Sequence, residues 1–148
     1  MIAHIRIQQE DFDLNDEIEA LTGETSGIGA VANFVGVVRG DDGLTALTVE
    51  HYPGMTERQI GSCVEEARGR WPLLGITIIH RIGTLQPGAR IVLVAVAAAH
   101  RGAAFSACEF LMDYLKTRAP FWKREDCGDE VRWVEPRVSD ADAAKRWA

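Results

Sequence analysis

The run IVLVAVAAA at positions 91 to 99 constrains this chain most. Nine consecutive apolar residues rich in β-branched side chains form a strand with no polar face, which must lie inside a sheet covered on both sides. His100 and Arg101 follow, and positions 101 to 118 carry a helical pattern, with Phe105, Cys108, Met112 and Leu115 spaced by threes and fours until Pro120 ends it. A covered strand running into a helix makes a layered protein.

The other segments fit that frame. Ile2 to Ile7 alternates as a short strand, and Asp13 with Asp16 caps a helix on Leu14, Ile18 and Leu21 that Gly23 ends. Ile28 to Val38 is a long strand in which Gly29 and Gly36 mark a bulge or a close backbone approach. DDG at 41 to 43 turns the chain into 44 to 52, expected to return as the hairpin partner of that strand. Thr56 and Gln59 read as a capping box, with a Met55/Ile60 staple, for a helix with apolar positions 60, 63, 64, 67 and 71. Ile76 to Ile82 is a strand joined to the covered one by LQPG, Val131 to Val134 is a last strand, and Ser139 with Asp142 caps a short helix carrying Trp147. Mixed order with hairpins and crossovers gives an α+β class, a largely antiparallel mixed sheet with flanking helices, in a single domain over 1–148.

Several chemistries find no support. A net charge of −6 disfavours nonspecific binding to nucleic acid or anionic membrane. Cys63, Cys108 and Cys127 are odd in number and form no CxxC, so a reducing cytoplasmic compartment is expected, and no signal or membrane segment is recognised. Gly27, Gly29 and Ala32 spell GxGxxA, but a dinucleotide fingerprint needs a strand before it and a helix after, the reverse of the order here. His4, His51, His80 and His100 fall on different strands or strand ends, so no metal site is expected, and His51 and His80 read as ordinary strand residues. The cysteines give no nucleophile: Cys63 and Cys108 lie on apolar stripes, and Cys127 sits among Asp126 and Asp129.

The basic residues are more informative. Of three lysines, Lys116 and Lys123 flank Pro120 within TRAPFWKRE, joined by Arg118 and Arg124 around Phe121 and Trp122. Two readings fit that spacing equally: cations complementing a helix C-terminus, or a local anion site. His100 and Arg101 stand where a strand hands over to a helix N-terminus, and Arg39 ends a strand, which favours the anion reading.

GAVANFVGVVRG, LTVEHYPGMTE, IIHRIGTLQPGARIVLVAVAAAHRGAAF, MDYLKTRAPFWKRE and RWVE, in this order, closely resemble the large, catalytic subunit of molybdopterin synthase. The likeness spans residues 28 to 147. It implies an α/β hammerhead-type fold and a sulfurtransferase that converts cyclic pyranopterin monophosphate to molybdopterin without a cofactor. It also implies a small ubiquitin-like partner subunit that brings the two sulfurs on a C-terminal glycine thiocarboxylate, within a heterotetramer built on a dimer of the large subunit. By motif, Lys116 and Lys123 match catalytic lysines, Arg39, His100 and Arg101 match substrate-binding positions, and Arg124 and Glu125 complete the pocket segment. Lys123 is assigned to the incoming thiocarboxylate and Lys116 to proton transfer. Val37 stands where relatives carry a polar or basic residue, leaving backbone contacts at Val37 and Val38, and Cys127 takes no role. Arg101 and Lys116 lie about 22 Å apart on one helix at 1.5 Å per residue, too far for one small substrate, so a second protomer is expected to supply His100 and Arg101. The alternative is a noncatalytic module that binds a ubiquitin-like tail or a phosphorylated metabolite.

Overall fold

The computed structural model describes residues 1–23, 25–134 and 137–148. Its elements are β1 (Ile2–Gln8), α1 (Leu14–Thr22), β2 (Ala30–Val37), β3 (Ala46–His51), α2 (Met55–Arg70), β4 (Leu73–Arg81), β5 (Gly83–Leu85), β6 (Arg90–Ala98), α3 (Arg101–Arg118), β7 (Phe121–Cys127), β8 (Glu130–Val134) and α4 (Val138–Lys145). The class is α+β, as expected, but the strands form two sheets. One, in the order β1-β4-β6-β2, is mixed, with β1 parallel to β4; the other, β5-β3-β7-β8, is antiparallel throughout.

Strand β6 is central and covered. Leu93, Ala95 and Ala97 join Ile79, Phe12 and Leu21 beneath α1, while Val92, Val94, Val96 and Ala98 face the larger core shared with α2, α3 and the second sheet. Period-two alternation on an all-apolar strand thus feeds two cores at once. Gly36 within β2 and Gly29 just before it show the two properties read from them. Gly36 sits at the register break against β6, and a Cβ on Gly29 would lie 2.2 Å from the Ala99 carbonyl oxygen.

Four local expectations are corrected. β3 does not return along β2. Asp42 and Gly43 turn with φ of 56° and 73°, but Thr45 then bonds to the Asp126 carbonyl from both its N–H and its hydroxyl, drawing β3 onto β7. There Leu47 and Val49 reach the main core, which the free edge of β2 does not offer. Thr56 is no cap. The helix begins two residues earlier, capped at Gly54, with the Glu57 carboxylate accepting the Gly54 N–H at 2.6 Å. The Thr56 hydroxyl is fully buried, accepting from the Tyr52 N–H and donating to the Pro120 carbonyl, each at 2.9 Å. That bond ties α2 to the junction of α3 and β7.

On α3 the buried stripe is Ala104, Ala107, Cys108, Phe110, Leu111, Tyr114 and Leu115, and Phe105 is 64% exposed. The small Ala104 and Ala107 let the helix lie close on β6 and β2, which turns Phe105 outward. Finally, α4 starts after Arg137 with no side-chain cap, so Ser139 is already helical. This helix is held from its other end. Arg146 pairs with Glu109 and Asp113, and the Trp147 ring packs edge-on against Trp71 and Phe110.

Candidate active site

The second sheet, the C-terminal half of α3 and the start of α4 close over the β2 end of the first sheet, leaving a cavity of about 540 Å³. Each wall follows from local structure. β7 alternates, so Phe121, Lys123 and Glu125 face the cavity while Trp122, Arg124 and Asp126 point to the other side of the sheet. Lys116 comes from the last turn of α3, which Pro120 ends by forcing Ala119 into an extended conformation. The bulge at Gly36/Val37 carries Val37, Val38 and Arg39 to the rim, where Arg39 stands 3.9 Å from Asp41.

Among the described residues, the cavity gathers four cations, Arg39, Lys116, Lys123 and Arg137, against the carboxylates of Asp41, Glu125 and Asp140. An excess of positive charge inside a chain of net charge −6 suits an anion. Lys123 is strongly altered: burial, and then the positive charge of Lys116, lowers its pKa to about 8, against a smaller upward pull from Asp140. A pKa near 8 lets the Lys123 side chain exchange protons close to neutral pH.

The site residues expected from sequence divide into two groups. Val37, Val38, Arg39, Lys116, Lys123 and Glu125 meet at the cavity. Val38 adds a buried wall, its N–H donating to the Ala89 carbonyl and its own carbonyl accepting from Gly88. Val37 is half exposed at the rim. Arg124 does not line the cavity; it reaches toward Asp126 and Thr48. His100 and Arg101 are exposed at the opposite end of α3, where His100 caps the helix through its backbone alone.

Sequence reasoning missed His80, Met112, Arg137 and Asp140, all of which line the cavity. Arg137 and Asp140 depend on where α4 docks, which no local pattern encodes. Cys127 lies outside, its sulfur 2.9 Å from the Arg132 guanidinium. Among the described residues, no group of three or more His, Cys, Asp or Glu is placed to hold a metal ion, and no helix is long and apolar enough to cross a membrane.

A lysine pair in a cationic cavity between two sheets defines a class, an α+β enzyme suited to proton transfer on an anionic substrate. The chain belongs to the MoaE protein family, whose model matches residues 7–118, and its reaction is sulfur transfer in molybdenum cofactor biosynthesis. It is 57% identical over 146 residues to the molybdopterin synthase catalytic subunit of Pseudomonas aeruginosa, covering 97% of both chains. The solved MoaE protein of Burkholderia ambifaria superposes with a TM-score of 0.86 at 53% identity, covering 99% of this chain and 98% of that one. A Helicobacter pylori structure, titled a complex of subunits 1 and 2 of molybdopterin-converting factor, shares the fold with a TM-score of 0.77 at 21% identity, over 90% and 91% of the chains.

Proposed function

We propose that the cavity receives cyclic pyranopterin monophosphate together with the C-terminal glycine thiocarboxylate of a small ubiquitin-like subunit, and that two sulfurs pass to the pterin to form the dithiolene of molybdopterin. The observation that carries this reading is the half-buried Lys123 facing Lys116 across the cavity. A depressed lysine beside a second cation binds the thiocarboxylate anion and exchanges a proton near neutral pH. Lys123 meets the thiocarboxylate, Lys116 moves a proton on the pterin, and Arg39 supplies a phosphate contact at the rim. The sulfur arrives on the partner, so no cysteine of this chain has to act as nucleophile.

His100 and Arg101 enter from a second copy. They lie about 22 Å from Lys116 along α3, beyond the span of one pterin monophosphate, and the exposed N–H groups of that helix end suit a phosphate. The assembly is thus a homodimer with a carrier subunit on each copy, a heterotetramer that works in the cytoplasm. The two-subunit Helicobacter pylori complex of the same fold supports a partner subunit.

The test is single-turnover conversion of cyclic pyranopterin monophosphate by the chain loaded with thiocarboxylated carrier. Lys116→Ala and Lys123→Ala should lose at least 100-fold in rate with carrier binding kept. Dimers mixed from Arg101→Ala and Lys116→Ala chains should regain part of the activity, because one of their two sites is intact. Carrier binding without product from the unmodified chain would make it a docking module, and mixed dimers as inactive as their parents would remove the shared site.

A further inference from the structure

His80 belongs to none of the roles above. It stands next to last in β4, is 7% exposed, and borders the cavity. Its Nδ1 lies 2.8 Å from the Arg81 carbonyl oxygen. A carbonyl only accepts, so Nδ1 carries the proton and Nε2 presents a lone pair. The ring lies flat on Phe121, with centroids 3.8 Å apart and planes inclined by 17°, which joins the first sheet to the second and leaves the imidazole little freedom to turn.

The ring also stays uncharged. Burial first, then the positive charge of Lys123 and more weakly that of Lys116, pushes its pKa down to about 3, although the Arg81 carbonyl pulls the other way. Among the described residues, no group bonds to Nε2, and the atom is not sealed off, since the fully buried side-chain polar atom left without a partner is Arg124 Nε. Nε2 therefore keeps its lone pair open on the cavity side, where water or a ligand can bond to it.

We propose that His80 is a substrate-recognition residue whose Nε2 accepts a hydrogen bond from a ring N–H or exocyclic amine of the substrate heterocycle. The inference rests on the cavity being the pterin site. Its chemistry complements that of the other cavity residues: lysines and arginines address phosphate and thiocarboxylate, whereas a neutral acceptor addresses the uncharged, donor-bearing edge of a heterocycle. It excludes heterocycles that present an acceptor at that edge, because two lone pairs would then face each other.

The experiment compares His80→Phe, which keeps a stacking ring but no acceptor, with His80→Gln, which restores an acceptor. His80→Phe should raise the KM for cyclic pyranopterin monophosphate about tenfold with kcat within about threefold, and His80→Gln should recover most of that loss. In the unmodified chain, the 15N resonance of His80 Nε2 should move upfield on saturation with the same compound. An unchanged KM in His80→Phe, or an Nε2 resonance that ignores the substrate, overturns the proposal. A lowered Lys123 titration in His80→Phe with KM unchanged would assign the lone pair to the lysine, and also overturns it. Failure of the catalytic reading is separate, since that appears as activity retained in Lys123→Ala.

Discussion

The indole N–H of Trp147 donates to the Asp113 carboxylate over 2.7 Å, closing a contact between residues 34 positions apart. Asp113 also receives Arg146, so one largely buried carboxylate holds the end of the chain against α3. Through α4 this clasp sets where Arg137 and Asp140 meet the cavity.

Trp147→Ala should therefore act at two distances. It removes an aromatic ring packed on Trp71 and Phe110, lowering stability by about 2 kcal/mol in urea denaturation. It should also raise the KM for the pterin substrate, because Arg137 and Asp140 lose their anchor. Trp147→Phe keeps most of the packing and should cost about 1 kcal/mol. A KM unchanged in Trp147→Ala would separate α4 from the site.

Lys123 carries a pH-dependent penalty. Its folded pKa of about 8 lies below the ordinary lysine value, so below pH 8 both folded and unfolded chains hold the proton and the folded state bears the whole cost. Between pH 8 and about 10.4 the unfolded chain binds more protons than the folded one, and stability rises with pH. Lys123→Met should be more stable than the unmodified chain by about 2 kcal/mol at pH 7, with the gain vanishing above that window. Denaturation at several pH values reads this directly, and equal stabilities at pH 7 would contradict it.

Two glycine substitutions should differ in sign. In Gly29→Ala the new methyl would meet the Ala99 carbonyl at 2.2 Å, displacing backbone and costing about 2–3 kcal/mol. Gly61 lies within α2 with nothing near its Cβ direction, so Gly61→Ala should stabilise by about 0.5–1 kcal/mol. Thermal melts of the two variants suffice.

Burial raises the thiols of Cys63 and Cys108 to about 11, while Cys127 is partly exposed. Iodoacetamide at pH 8 should label one site per folded chain, Cys127, by mass spectrometry. Cys127→Ser should leave sulfur transfer intact, because Cys127 lies outside the cavity.

What sequence could and could not foretell follows the range of the interactions. The N-cap at Asp13, the span of α3 and the covered strand β6 depend on neighbours a few residues away, and each is found where the pattern puts it. Partner choice between strands is nonlocal: nothing within 44 to 52 says that Asp126, some eighty residues on, will capture Thr45 in place of β2. Thr56 fails as a cap for the same reason, since its hydroxyl answers to Pro120. At the site, the lysines and Arg39 were legible as charges near element ends, and helix arithmetic already separated Arg101 from Lys116. His80 was not, because a histidine on a strand becomes distinctive only once Phe121 stacks on it.

From β2 to β7 the chain alternates between the two sheets strand by strand. The strands of each sheet are therefore interleaved in sequence with those of the other: the first sheet lacks its central strand until β6 has emerged, and the second is complete only after β7 and β8. The cavity, which both sheets line, is therefore deferred to the last third of synthesis, when the second sheet can close over the first. A chain cut anywhere between β3 and β6 leaves two halves that each need the other, which suits reconstitution from paired fragments and makes either fragment alone a poor folding unit.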